Sequence, residues 1–107
     1  MSIRVELADL PGQVEERGRA AYLITCGQDG PKVVALTVAW DGTDLVMTPG
    51  RGSLTNVQAA ANATLLWPSE GGRSDLSLLV DGTANAEDDG ERLRFVPASA
   101  IQHVARS

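Results

Sequence analysis

Between Met47 and Asn56 the chain reads MTPGRGSLTN, and its chemistry-bearing residues are concentrated there. Thr48, Arg51, Ser53 and Thr55 set one guanidinium and three hydroxyls around a Pro49-Gly50-Arg51-Gly52 turn. Leu54, Val57 and Ala61 follow at i, i+3 and i+7, the spacing of a short amphipathic helix. That pattern makes Ser53 the N-cap and Asn62 a left-handed stop. A helix start gathers unpaired backbone N–H groups at one point, and with Arg51 and the hydroxyls beside it such a corner suits a phosphate. Each residue also has a plainer reading. Arg51 suits a solvated loop or an ion pair, Ser53 a simple cap, and Thr55 an ordinary first-turn position.

The other candidates point away from side-chain catalysis. His103 is the single histidine and reads as a surface or interface residue; Cys26 is the single cysteine and reads as a small buried hydrophobe. No internal disulfide and no His/Cys metal cluster is expected from one of each. Asp29, Asp41, Asp81 and Asp89 each precede a glycine and read as turn residues. Trp40 and Trp67 read as core or dimer-interface anchors. No nucleophile–base pair or paired carboxylate can be assembled, so any chemistry falls to a cofactor.

The formal net charge of −5 over 107 residues argues against general nucleic-acid binding, because no basic stripe offsets it. It leaves room for one small anion, since bulk charge is screened over about 8–10 Å. An arginine about 4 Å from a phosphate supplies roughly 4 kcal/mol per unit charge at an effective dielectric near 20, before desolvation. No apolar run approaches the roughly 20 residues of a membrane span, and the first residues do not read as a basic-apolar leader. A cytoplasmic protein with no membrane partner is the expectation.

These residues need a frame. The reading makes residues 1–107 a single domain, with an arm and helix over 1–18, a barrel over 19–97 and a tail over 98–107. A helix enters at Asp9-Leu10-Pro11 and ends at Gly18. Strands are expected over Ala20–Cys26, Lys32–Trp40, Asp44–Thr48, Ala63–Trp67, Leu76 onward and Arg92–Val96, joined by a Gly27–Pro31 hairpin loop, an Asp41-Gly42 turn and a polar loop over 69–75. Asp81-Gly82 reads as a bulge inside one long strand rather than a turn. One face of the second strand carries Val34, Leu36, Val38 and Trp40; the other carries Val33, Ala35, Thr37 and Ala39, mostly small. Either a helix or partner subunit covers that small face, or a flat ligand lies on it. The sum is mainly β: a barrel of about six antiparallel strands, with a short helix after the third strand. Aromatic residues make up only 4% of the chain, a thin core that favours dimerisation.

Five segments in this order resemble the pyridoxamine 5′-phosphate oxidase-like proteins, the FMN-binding split β-barrels, and small actinobacterial members in particular. They are YLITCGQDGPKVVALTV, DGTDLVMTPGRGS, NATLLW, LLVDGTA and VPASAIQHV. The resemblance implies a homodimer with two flavin sites between subunits, and an FMN-dependent oxidoreductase acting on an unknown small molecule. It implies that Arg51 and Ser53 contact the flavin phosphate, with Thr48 at the strand end. Val34, Ala35, Leu36 and Thr37 then offer backbone and small side chains to the ring. One departure stands out. Many members read Ser-x-Lys at the helix start, and here Thr55 holds the lysine position, which forfeits about 1.5–3 kcal/mol of charge-assisted bonding. The deazaflavin F420 is the alternative cofactor, and a cofactor-free binding or scaffold dimer is the alternative of another class.

Overall fold

The computed structural model describes residues 2–69, 76–87 and 90–104. It is mainly β, with strands β1 (Ser2–Val5), β2 (Ala20–Gly27), β3 (Gly30–Thr37), β4 (Ala39–Asp41), β5 (Asp44–Met47), β6 (Asn62–Trp67), β7 (Leu76–Glu87) and β8 (Arg92–Val104), and helices α1 (Leu10–Arg17) and α2 (Arg51–Ala59). The strands form one 8-stranded antiparallel sheet in the order β3-β2-β6-β7-β8-β5-β4. Along its other edge β8 pairs with β5 over its first half and with β1 over its second. The sheet curls on itself as a split barrel with α2 after β5, the third of the strands expected from the sequence. Eight strand segments replace the expected six or so because residues 2–5 pair and because the strand expected over 32–40 breaks at Val38. Val38 is buried, and its N–H leaves the ladder to donate to Arg19 O at 2.8 Å.

The curl has a definite hinge. β7 and β8 pair over nearly their full length, but Asp81 faces Ser99 while Gly82 faces Pro97, leaving Ala98 unpaired. In β7 the inward residues are Leu78, Val80, Gly82 and Ala84, all even-numbered. In β8 they are Leu93 and Phe95 before the bulge and Ala100 after it, so the inward parity reverses there. One extra residue therefore bends the strand and turns its side chains over. The bulge also accommodates Pro97, which has no N–H to give the ladder. The expected tail over 98–107 is thus corrected: residues 98–104 continue β8. The irregularity falls at Asp81-Gly82 inside one long β7, as expected, with the extra residue on the facing strand β8. Residues 70–75 of the expected polar loop, and Asp89 of the expected Asp89-Gly90 turn, lie outside the described residues.

Leu23, Leu45, Leu65, Trp67, Leu78, Val80, Leu93 and Phe95 fill the barrel. Helix α1 closes one end, burying Leu10 and Val14. It stops at Gly18, whose φ of 93° requires glycine, and whose carbonyl accepts the Trp67 indole N–H at 2.9 Å. Trp67 is therefore core, and Trp40 is half-buried at the rim. Cys26 is exposed, against expectation, because β2 turns Ala21, Leu23 and Thr25 inward and its even-numbered residues outward. The first hairpin is tighter than expected, Gly27 pairing with Gly30; the second is tight as expected, but Asp41 pairs with Asp44, so Gly42-Thr43 rather than Asp41-Gly42 is its central pair.

A charged clasp holds the short β4–β5 hairpin. Arg94 on β8 donates to Asp41, to Asp44 at 3.1 Å and to Glu87 at 2.9 Å. The hydrogen bond from Arg94, and then its charge, hold the Asp41 carboxyl below the usual carboxylate range. The same contacts, Asp41 foremost, raise the guanidinium further above its ordinary value.

Two outcomes follow. A Cβ on Gly82 would stand 2.3 Å from Val96 O and 2.8 Å from Phe95 Cζ, against backbone and a locked ring. Gly82→Ala should lower the unfolding free energy by about 3 kcal/mol in urea titrations at neutral pH. Asp41 titrates lower folded than unfolded, so its stabilisation is complete above its unfolded value and is lost as pH falls through the folded one. Asp41→Asn should reduce stability at neutral pH and flatten the acid limb below about pH 4, read from thermal midpoints between pH 2 and 7.

Candidate functional site

After β5 the chain turns at Pro49-Gly50 and enters α2. Gly50, with φ of 100°, occupies the N-cap, and Arg51 is the first helical residue. The expected Ser53 cap is corrected: Ser53 is the third residue of the helix and is buried. The glycine takes the cap because the chain must leave the proline through a positive φ. The expected stop at Asn62 is corrected too. The helix ends at Ala59 on an extended Ala60, and Asn62 opens β6, leaving Ala61 exposed outside the helix.

Two adjoining grooves receive the remaining site residues. Thr48, Arg51 and Thr55 line a groove of about 610 Å3 together with Gly50, Leu54, Gln58, Gly90 and Glu91. Ala35, Leu36, Thr37 and Thr48 line a second, of about 480 Å3, with Ala39, Val46, Met47 and Arg92. Thr48 belongs to both, so the strand end expected beside the phosphate joins the helix start to the edge of β3. Arg51 is exposed, and among the described residues no carboxylate lies within ion-pair distance of it. Glu91 shares its groove and is the one described carboxylate in that wall.

The hydroxyls behave differently from one another. Thr55 Oγ1 donates back to Arg51 O at 3.0 Å, so it spends its proton on the helix and keeps only acceptor capacity for a phosphate. Ser53 is 1% exposed and its Oγ has no hydrogen-bond partner among the described residues. It lines neither groove. The first backbone N–H groups of α2 lack intrahelical acceptors by geometry.

Lys32 lies beside the helix start, a contact that sequence reasoning missed, though it lines neither groove. Its side chain lies over Gly52, so that a Cβ built there would stand 2.9 Å from Nζ and 3.0 Å from Cε. The available signal was a glycine in the first turn of a helix, where alanine is the better helix former by about 1 kcal/mol. The small-residue face is also resolved in part. Val33, Ala35, Thr37 and Ala39 are all exposed, so no described helix covers them. On the outside of the sheet the register sets Ala35, Tyr22, Leu66, Leu79 and Ile101 side by side across five strands. Tyr22 is 40% and Val33 55% exposed, leaving an apolar band on the surface.

Among the described residues no group of three His, Cys, Asp or Glu side chains is placed to hold a metal ion. No described helix is long and apolar enough to cross a membrane.

No protein-family model matches the chain, and no curated protein matches it. Solved structures do. A candidate pyridoxamine 5′-phosphate oxidase of Listeria innocua is 18% identical with a TM-score of 0.74, covering 94% of this chain and 100% of that one. An FAD-binding protein of Mesorhizobium loti is 17% identical with a TM-score of 0.68, covering 95% and 96%. An F420 reductase is 20% identical with a TM-score of 0.63, covering 82% and 93%. The fold is the split β-barrel of the pyridoxamine 5′-phosphate oxidase-like proteins. At such identities the likeness carries architecture and leaves the chemistry to the site.

Ser53 offers a test of the site in the ligand-free protein. Ser53→Ala removes an unpartnered buried hydroxyl and installs a better helix former, so it should raise the unfolding free energy by about 1 kcal/mol, measured by urea denaturation.

Proposed function

We propose that this protein is a flavin-type cofactor-binding split barrel that works as a homodimeric oxidoreductase, with FMN as the first cofactor and F420 as its rival. One observation carries the reading. On an acidic chain, Arg51 stands exposed at a helix start with no described carboxylate paired to it, in a groove that meets the small-residue edge of β3 at Thr48. The donor set fits a phosphate: a guanidinium, first-turn N–H groups and the acceptor oxygens of Thr48 and Thr55. The neighbouring groove fits a flat ring, because Ala35 and Thr37 leave space above β3. Fold neighbours that are an FAD-binding protein and an F420 reductase support the same class of ligand.

When bound, a flavin supplies hydride or electron transfer at its ring. The chain's own task is holding and orienting. Arg51 neutralises the phosphate and Thr48 marks the junction between tail and ring. Backbone groups of Ala35, Leu36 and Thr37 set the ring's edge. Glu91 opposes the anion from the same wall. Exposed Tyr22 and Val33, with half-buried Leu66, Leu79 and Ile101 beside them, support a second subunit as the cover. A cytoplasmic location remains part of the proposal.

A cofactor-free scaffold is the second reading, favoured by the Thr55 hydroxyl turned back on its own helix. Titration separates the two. FMN and F420, added side by side at tens of micromolar, should show quenching and a visible band shift with at least one of them. Arg51→Glu should weaken that binding on the order of a hundredfold, and Glu91→Gln should strengthen it several-fold. A wild-type protein that leaves both spectra unchanged is a scaffold.

A further inference from the structure

The groove given above to the flavin ring lies across a break in the sheet, with an ionic clasp holding its far bank. We propose that Arg94 is a positioning residue for the ring. Through Asp41, Asp44 and Glu87 it fixes the β4–β5 hairpin and so sets the width of that groove. The proposal rests on the flavin reading and deepens it, by assigning ring affinity to a side chain that lines neither groove itself.

The argument starts from the order of the strands. β3 and β4 stand at opposite ends of the sheet, and among the described residues no ladder joins them. Val38, between them in the chain, gives its N–H to Arg19 O instead. The ring groove takes Ala35 and Thr37 from one bank of this gap, and Ala39, Val46 and Met47 from the other. Where backbone hydrogen bonds cross between strands they fix the spacing at about 4.8 Å. Across the gap none do, so its width depends on what holds the hairpin from its other side. The backbone pairing there is short. β4 pairs with β5 over three residues, and β5 with β8 over three.

Arg94 supplies the remaining hold. It is the register partner of Val46, a residue of the far bank. Its Nη2 donates to Asp41, its Nη1 to Asp44 at 3.1 Å and its Nε to Glu87 at 2.9 Å. Asp41 and Asp44 close the hairpin turn and Glu87 ends β7, so one guanidinium ties β4, β5 and β7 to β8. Arg92, in the groove wall, reaches two of the same carboxylates, Glu87 at 3.4 Å and Asp41 at 3.9 Å. Only the planar fork of an arginine can serve three such acceptors at once; an ammonium lacks the reach and the geometry. The network is open to solvent, with the Arg94 side chain 27% and Asp44 25% exposed. Salt therefore screens it, and a wall held this way loosens as ionic strength rises.

Riboflavin is uncharged at neutral pH, which makes the salt dependence of its binding diagnostic. The experiment titrates riboflavin and FMN by flavin fluorescence at low and high salt, about 20 and 500 mM NaCl, against wild type, Arg94→Met and Arg94→Lys. Wild type should lose about threefold in riboflavin affinity at high salt. Arg94→Met should weaken riboflavin and FMN by the same factor, about fivefold at low salt, and abolish the salt dependence of riboflavin. Arg94→Lys should recover part of the affinity. Asp44→Asn, which leaves Arg94 its other two acceptors, should act in the same direction and more mildly. A lowered stability alone would leave the riboflavin affinity of the folded protein unmoved. In the ligand-free protein, amide exchange of β4 and β5 should accelerate more in Arg94→Met than that of β6. If riboflavin binding to wild type ignores salt, or Arg94→Met keeps its affinity, the role of Arg94 is overturned and the flavin reading stands. Unaltered β4–β5 exchange in Arg94→Met overturns it with or without a flavin. If wild type binds neither flavin nor F420, the flavin reading fails and the role of Arg94 in ring binding fails with it.

Discussion

A thirteen-residue strand that carries a long neighbour on one edge and two short ones on the other must bend if the sheet it organises is to close around a core. β8 is that strand, holding β7 along one side and β5 and then β1 along the other. Ala98, the unpaired residue, lets it bend. Gly82, directly across, has no side chain because Phe95 and the Val96 carbonyl occupy that space. The bend brings Leu93 and Phe95 under one half of the barrel and Ala100 under the other. Without it the residues after Pro97 would turn their apolar side to water.

From this frame the site inherits its shape. β5, pinned to β8 and clasped through Arg94, ends where α2 begins. The positive φ of Gly50 then sets the direction in which the helix leaves. The Asn56–Thr25 bond fixes the other side of α2 to the β2–β3 hairpin. The groove beside Arg51 and the ledge along β3 are therefore two sides of one junction, positioned by hydrogen-bonded strands rather than by a long loop.

Much of this was legible in local pattern. Pro11 and Gly18 bracket α1 by the stereochemistry of helix ends, and Asp81-Gly82 marked the bulge because the residues after it make too poor a strand to stand alone. Where local chemistry offered two acceptable answers, tertiary constraint chose. Ser53 is a good cap, yet a glycine three residues earlier took the position. Pro97 reads as a strand terminator, but a bulge spares it the hydrogen bond it cannot make. The outward face of Cys26 was available from the alternation Ala21, Leu23, Thr25. Lys32 was not, because its relation to Gly52 exists only once hairpin and helix have docked. Arg51, Thr48 and Thr55 were brought to one groove as their spacing suggested, whereas Ser53 lies beneath it.

β1 pairs with the far end of β8, Ser2 opposite His103 and Val5 opposite Ala100, and of its four residues only Val5 is buried. Its ladder closes a loop of about a hundred residues, and the entropy of that closure is recovered only after everything between has ordered. The strand is thus the last to join and the first to fray. Its amides should exchange with solvent deuterium through a local opening far below the global unfolding free energy, while those of β6 and β7 should exchange only with the whole barrel.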